Sequence, residues 1–287
     1  MELSPDAAAP MPALIDCRPQ PAFIAGHQTG ACSLPAGELF LRMQELPRRS
    51  RSLSLCGTAD SLAVARAFLE PRGYVIAAAR LWSKAWQEQL AQADLLETGL
   101  NRVRLWEPSA LLERFVTRLA PQYGLQPGSG LDLACGAGRD AVYLAQQGWD
   151  MWAVDHSEDA LQRVGRMAAQ AGVTVRTLAC DLEGAEAPLP AFGPASLDLI
   201  TVFRYLYRPL LPLLRDWLPP GGVLVYQTFL QGCEHSAIGR PRNPRFLLAP
   251  GELAAQFAGF DIWLDQAGTL EDGRPVADFV AAKPQRR

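Results

Sequence analysis

The sequence predicts two α/β domains in series, the second a parallel sheet flanked by helices and finished by an antiparallel hairpin. Three observations carry that expectation. Short apolar runs of strand type alternate with helical periodicity across residues 13–78 and again across 109–229, as sheets covered by helices require. The stretch from Gly130 to Asp155, GLDLACGAGRDAVYLAQQGWDMWAVD, changes from strand to glycine turn to helix and back to strand. Near the end, DIWLDQAG and PVADFVAAKP are strand-like runs joined by LEDGR, where Asp272 and Gly273 suit a hairpin turn.

In the glycine stretch, the apolar run Leu131 to Ala134 stops at Cys135 and Gly136, and Gly138 follows. Ala141, Leu144 and Ala145 then share one helical face, with Gly148 where a left-handed cap belongs. The next run, Met151 to Val154, ends on Asp155, about twenty residues past the glycines, where an acid receives a ribose in nucleotide-binding βαβ units. Glycines lacking Cβ let backbone approach a ligand, and a carboxylate at a strand tip accepts from ribose hydroxyls. The spacing Gly136, Gly138, Ala141 fits NAD as well as S-adenosylmethionine, so the flanks must decide. Asp132 lies inside the strand, where a carboxylate is costly unless a cationic or hydrogen-bonding group meets it.

DLACGAGRD resembles the first motif of the Rossmann-like, class I S-adenosylmethionine-dependent methyltransferases, in which the strand acid serves the ligand's amino-acid end. The likeness continues in order: Asp155 for the ribose, Asp181 in LACDLEG for the adenine amino group, and PPGG (Pro219 to Gly222) before the strand VLVYQTF. It implies a methyltransferase domain over residues 105–287 with S-adenosyl-L-methionine as cofactor. The implied cofactor residues are Asp132, Ala134, Cys135, Gly136, Gly138, Arg139, Asp155, His156, Asp181, Leu182 and Phe203. The terminal hairpin disfavours an ordinary dehydrogenase.

Bulk properties set outer bounds. A chain of 287 residues suits about two domains, and 49% hydrophobic with 20% charged residues is a globular composition. A net charge of −3 argues against broad polyanion binding, hence against nucleic acid. No signal-like leader or membrane-length apolar run is present, so a cytoplasmic location is expected. Six scattered cysteines without a CxxC pair suit neither a disulfide framework nor a zinc site, and no metal is expected.

Residues 1–12 are small, polar and proline-rich, and read as a flexible leader. From Ala13 come a strand ending at Asp16, a short segment around Phe23, a run into Pro35, a strand Leu53 to Leu55, a helical stretch to Gly73 and a strand from Tyr74 to Ala78. LIDCRP with Asp16 and Arg18, AGHQTGA with His27, the strand LSL leading to Cys56, and LWSKAW together resemble a rhodanese domain over residues 13–88. That family's cysteine opens a loop that cradles a persulfide, which needs a positive field at the thiolate. Here the loop from Cys56 to Leu62 has no basic residue, and Asp60 would raise the thiol pKa. Two readings of Cys56 stand: a sulfur carrier with weakened electrostatics, or an inactive remnant in a domain kept for packing or partner contacts. Cys17 and Cys32 read as core. Residues 89–104 are expected to form a structured connector.

In the second half, Ser109 reads as the N-cap of a helix whose apolar face is Leu112, Phe115, Val116 and Leu119. Trp106 and Tyr123, flanking that helix, fit core packing better than ligand contact. Ser157 caps a helix ended by Gly172, VTVRTLAC delivers Asp181 and Leu182, and LDLITVF delivers Phe203 and Arg204 to a ligand rim. CGAGRDAVYLA, FRYLYRPLLP and GRPRNPRFLLAPGEL resemble the tellurite-resistance-type small-molecule methyltransferases. A small soft nucleophile such as a thiol, persulfide, selenium or tellurium species is therefore the expected acceptor, since deprotonation and positioning suffice for it. Arg204 could hold an anionic substrate, with Tyr205 and Tyr207 orienting it or lining its pocket, although pairing and packing explain them as well. Residues 229–248 read as a substrate cover, with Arg240 or Arg245 as ligand contacts and His235 as an optional base. The alternatives are a methyltransferase acting on a macromolecule or carboxylate, a non-catalytic cofactor-binding sulfur sensor, and a dinucleotide oxidoreductase.

Overall fold

The computed structural model describes residues 11–101, 103–184 and 192–285, so all but two residues of the expected leader lie outside the described residues. The chain divides into two units, Met1–Glu107 and Pro108–Arg287.

In the first unit, apolar runs bounded by turn residues give β1 (Ala13–Asp16), then α1 (Gln20–Ala25), β2 (His27–Gln28), β3 (Cys32–Ser33) and β4 (Leu53–Gly57). The Thr58 hydroxyl accepts from Ser61 N at 3.2 Å and starts α2 (Ala59–Leu69). Beyond it lie β5 (Ile76–Leu81), α3 (Lys84–Gln92), capped by Ser83, and β6 (Leu96–Glu97). The parallel sheet runs β3-β1-β4-β5, and Ile15, Leu34, Leu53, Leu55 and Leu69 fill its core. The expected connector, 89–104, packs with this unit: β6 pairs with β2, Leu90 is buried, and Asn101 Nδ2 donates to the Ala31 carbonyl at 2.8 Å.

The second unit opens with α4 (Ala110–Arg114), whose N-cap is Ser109, accepting from Leu112 N. A wide π turn at 115–119 leads into α5 (Ala120–Gln122). This turn rotates the apolar face, burying Leu111, Leu112, Phe115 and Leu119 while Val116 stays half-buried. Then follow β7 (Ser129–Leu133), α6 (Arg139–Gln146), β8 (Asp150–Asp155), α7 (Glu158–Ala171), β9 (Val175–Ala179), β10 (Leu199–Phe203), α8 (Leu211–Trp217) and β11 (Val223–Phe229). The chain ends with α9 (Glu252–Gln256) and the hairpin β12 (Asp261–Thr269) and β13 (Pro275–Ala282).

The seven strands run β12-β13-β11-β10-β7-β8-β9; β7 to β11 are mutually parallel and β13 is antiparallel to β11. Strand order reverses between β7 and β10, because the chain winds outward through β8 and β9 and returns to the other side of β7. Ligands of open α/β sheets bind in the crevice at the carboxyl ends beside such a reversal. Leu131, Leu133, Ile200, Val202, Leu224 and Tyr226 bury the inner strands and hold that rim in place.

Candidate functional site

The crevice between β7 and β10 is lined by backbone in uncommon conformations. Gly136 (φ 55°) and Gly138 (φ 72°) are left-handed, and so are Ala134 (φ 51°) and Arg204 (φ 58°), which directly follow β7 and β10. For residues with a Cβ this conformation costs on the order of 1 kcal/mol or more, and such strain gathers at ligand sites. The two glycines serve different ends. A Cβ on Gly136 would meet no atom within 4 Å, so that position opens onto space a ligand can fill. A Cβ on Gly138 would strike Val164 of α7, so the second glycine also lets α6 and α7 pack.

Asp155 ties the turn together. Its Oδ2 accepts from Gly136 N at 2.9 Å and its Oδ1 from Ser157 N at 3.0 Å, which leaves lone pairs facing the rim. His156 is largely exposed, with Nδ1 3.3 Å from Asp155 Oδ1. Cys180 N donates to the Asp155 carbonyl at 3.0 Å, anchoring the end of β9 beside it. Asp181 then stands exposed, accepting from Glu183 N, while Leu182 is buried. Cys135 is half-buried, and burial with Asp132 and Asp155 nearby drives its thiol far above the usual range, so it is inert.

Asp132 decides the chemistry. It is 2% exposed; Oδ1 accepts from the Thr201 hydroxyl at 2.9 Å, and Oδ2 has no hydrogen-bond partner. Burial, reinforced by the charge of Asp140, pushes its carboxyl well above the ordinary range. Asp140, also buried and raised by burial, accepts from Ser109 N at 2.8 Å. An orphaned buried carboxylate oxygen calls for a cationic donor. The ammonium of a ligand's amino-acid end is such a donor, Asp155 and Gly136 lie where its ribose would rest, and Asp181 and Leu182 stand at the next strand end. These residues fit S-adenosylmethionine. Residues 131–222 match the family described as "Methyltransferase domain".

Residues 131–222, within the second unit, form a class I, S-adenosylmethionine-dependent methyltransferase domain.

Over nearly its whole length the chain is similar to "Uncharacterized protein UNK4.09" of Schizosaccharomyces pombe, at 24% identity, covering 94% of this chain and 93% of that protein. A shorter match, 42% identical over 59 residues, covers 21% of this chain and 20% of "Hemagglutinin 1" of Eikenella corrodens. Among solved structures, TehB of Haemophilus influenzae is similar at 20% identity and a TM-score of 0.47, covering 58% of this chain and 61% of TehB.

The acceptor side of the methyltransferase domain separates residues that the sequence groups together. Arg204 N donates to the Gln227 carbonyl at 2.7 Å, and the residue is exposed. Desolvation by the neighbouring protein, with Arg139 and Arg274 adding to it, lowers its pKa. Tyr205 and Tyr207 are half-buried and pack against the core. The Tyr205 hydroxyl is buried without a partner, and burial, with Glu183 next in effect, pushes it above the usual range. Phe203 is half-buried between the strand end and the rim.

Residues 229–248, the expected substrate cover, form a segment pinned at both ends. Leu248 N donates to Phe229 O and Gln231 N to Leu248 O, closing the segment at its base. Cys233 is buried, and Arg245 pairs with Glu183. Arg208, unremarked in the sequence, braces this segment: its Nη1 donates to Arg245 O, Nη2 to Leu247 O, and Nε and Nη2 to Glu252 at 2.7 and 3.0 Å. Only the long-range pairing reveals it. His235 is exposed beside Glu234, away from a base's setting. Tyr123 is not core: it stacks on Trp263 with ring centroids 4.0 Å apart.

In the first unit Cys56 is the penultimate residue of β4, just before the turn into α2, and is 1% exposed. Its thiol is pushed up to about 11 by burial and then by Asp16, against the opposing pull of Arg18 and Arg80. The acid acting on it is therefore Asp16, its register partner, rather than Asp60, which is exposed on the first turn of α2. The basic groups missing from the loop come from neighbouring strands: Arg80 is the register partner of Cys56 on the other side. Arg18 is committed elsewhere, to Asp16 and the Gly26 carbonyl, with its guanidinium 3.6 Å over the Trp82 ring. His27 is buried, stacked on Phe23 and held by the Phe23 carbonyl and Asn101. Cys17 and Cys32 are core, with thiols raised to about 12 chiefly by burial.

No helix among the described residues is long and apolar enough to cross a membrane, and no cluster of potential metal ligands occurs among them.

Proposed function

We propose that the protein transfers the cofactor's methyl group to a small soft nucleophile, a thiol, persulfide or selenium or tellurium species. When bound, S-adenosylmethionine supplies an electrophilic methyl carbon on a sulfonium. Asp132 receives the ammonium, Asp155 and Gly136 the ribose, Asp181 and Leu182 the adenine; Ala134, Cys135, Gly138, Arg139, His156 and Phe203 shape the wall. Arg204 positions the acceptor, while Tyr205 and Tyr207 support the pocket floor through packing. No base is required, because a soft anion attacks once it is deprotonated and aligned.

The observation that carries the small-acceptor reading is the braced cover. A segment tied at its base, held by Arg208 and Glu252 and joined to Glu183 by Arg245, suits enclosure of a small molecule better than reading of a macromolecular surface.

The first unit supports a rhodanese-type reading in its order of strands and in the placing of Asp16, Arg18 and Cys56 at one sheet end. We take Cys56 as inactive there, because a buried thiol raised to about 11 offers almost no thiolate at neutral pH. On this reading residues 13–88 form the rhodanese-like domain, 89–104 its junction, and 105–287 the methyltransferase. Incubating the full chain with methyl-labelled S-adenosylmethionine and a panel of thiols, persulfides, selenite and tellurite tests the function. Label on at least one chalcogen acceptor is expected; label on none, or on added RNA or protein instead, sinks it.

A further inference from the structure

The topology brings three arginines from distant parts of the chain to the same end of the sheet. Arg204 leaves β10 and Arg139 opens α6. Arg274 stands at the hairpin tip, which the pairing of Val276 with Phe229 brings to the carboxyl end of β11. Arg139 and Arg274 both lie within electrostatic reach of Arg204.

Their situations differ. Arg274 is fixed: its Nε donates to Asp272 Oδ1 at 3.0 Å and its Nη2 to Oδ2 at 2.7 Å, and the guanidinium stacks 4.5 Å from the Phe229 ring centroid. Arg204 is held only through its backbone, to the carbonyl of Gln227, whose side chain is itself anchored on Asp278 at 2.7 Å. Among the described residues the Arg204 guanidinium makes no hydrogen bond or ion pair. Its nearest acids are engaged elsewhere, Asp140 with Ser109 N and Asp272 with Arg274. A guanidinium with two others within electrostatic reach and no ion pair of its own, on a strained backbone, is unfavourable alone and favourable around an anion.

We propose that Arg204, flanked by Arg274 and Arg139, is an anion subsite for the methyl acceptor, so that the preferred acceptor carries a carboxylate or oxyanion group beside its nucleophile. The inference rests on the methyltransferase reading and adds the acceptor's charge. Planar, forked donors suit such groups bidentately. The cofactor has a carboxylate of its own, so the test must tell the two sources apart.

The test uses the full chain saturated with S-adenosylhomocysteine and three thiols of similar size: mercaptoacetate, 2-mercaptoethanol and cysteamine. Calorimetry should show mercaptoacetate binding at least tenfold more tightly than mercaptoethanol, with cysteamine weakest. Turnover with S-adenosylmethionine should follow the same order in KM. Arg204→Gln should reduce the mercaptoacetate advantage to within twofold while changing the Kd for S-adenosylmethionine less than twofold, and Arg204→Lys should restore part of it. Arg274→Gln should lower the advantage several-fold. Absence of any charge preference in a chain that binds the cofactor overturns the inference alone. So does an Arg204→Gln variant that loses cofactor affinity tenfold yet keeps the preference, since the arginine then serves the cofactor's carboxylate. A wild-type chain that binds neither the cofactor nor its product overturns the methyltransferase reading, and the inference with it.

Discussion

Asp16 and Asp132 invite comparison, because each is a buried acid on the first strand of its unit's parallel sheet. Asp16 is fully enclosed and fully paired: both oxygens accept from Arg18, which is itself capped by the Gly26 carbonyl and Trp82. Asp132 is as deeply enclosed but less fully satisfied: the Thr201 hydroxyl bonds one oxygen and the Ala141 amide lies close, yet Oδ2 has no hydrogen-bond partner of good geometry. The first arrangement is closed and can only stabilise. The second is incomplete without a ligand. Burial alone therefore does not distinguish a structural carboxylate from a binding one; the partner count does.

The sharpest way to break this comparison is Arg18→Ala. Leaving Asp16 charged and alone in the first unit should destabilise that unit by about 3–5 kcal/mol. Chemical denaturation followed by far-UV circular dichroism checks it, and a loss below about 1 kcal/mol would show that Asp16 was never dependent on its partner.

Asp132→Asn should act oppositely on the two states of its unit. Losing a charge-assisted contact to the cofactor should weaken S-adenosylmethionine binding by about 10- to 100-fold, readable by calorimetry. The cofactor-free protein should gain stability at neutral pH. Because the folded-state pKa of Asp132 is raised, its contribution is complete below the ordinary value of 3.8 and is lost as pH rises through the raised value. The wild-type, cofactor-free melting temperature should thus fall with rising pH over that window more steeply than that of Asp132→Asn. Identical slopes would remove Asp132 as the cause.

A milder perturbation is Arg208→Met, which unties the cover from below without touching the cofactor residues. Acceptor KM should rise about fivefold, with cofactor Kd unchanged, as expected when two or three hydrogen bonds that position a loop are lost. Smallest of all is Cys56→Ser: methyl transfer should stay within about twofold of wild type. At pH 8 a thiol raised to about 11 is only about one part in a thousand thiolate, so its alkylation should be correspondingly slow. Fast alkylation of the folded chain would reopen the sulfur-carrier reading.

Much of this architecture is legible from residue order. The glycine turn between two strands, the Ser109 and Ser157 caps, the left-handed Gly148 and Gly172 and the final hairpin all depend on local chemistry, and each stands where the pattern puts it. Relations between distant segments are less legible. Arg204, Tyr205 and Tyr207 are consecutive or nearly so, yet the left-handed turn at Arg204 sends its guanidinium towards Arg139 and Arg274 while the tyrosines join the core. Asp60 is closest to Cys56 along the chain, but Asp16 is closest across the sheet. Arg208 looks like one arginine in a polar loop until its partners, about forty residues away, are seen.

By itself the sequence determined a strand, a glycine bend and a helix, with acids in or just after three successive strands, because those features follow from Cβ sterics and strand alternation over short distances. Only the tertiary structure decided that one oxygen of Asp132 lacks a hydrogen-bond partner, that the Arg204 guanidinium has no ion pair among the described residues, and that Arg208 ties down residues 245–252. Those are properties of pairing across the sheet, and pairing depends on register and strand order that no local stretch encodes.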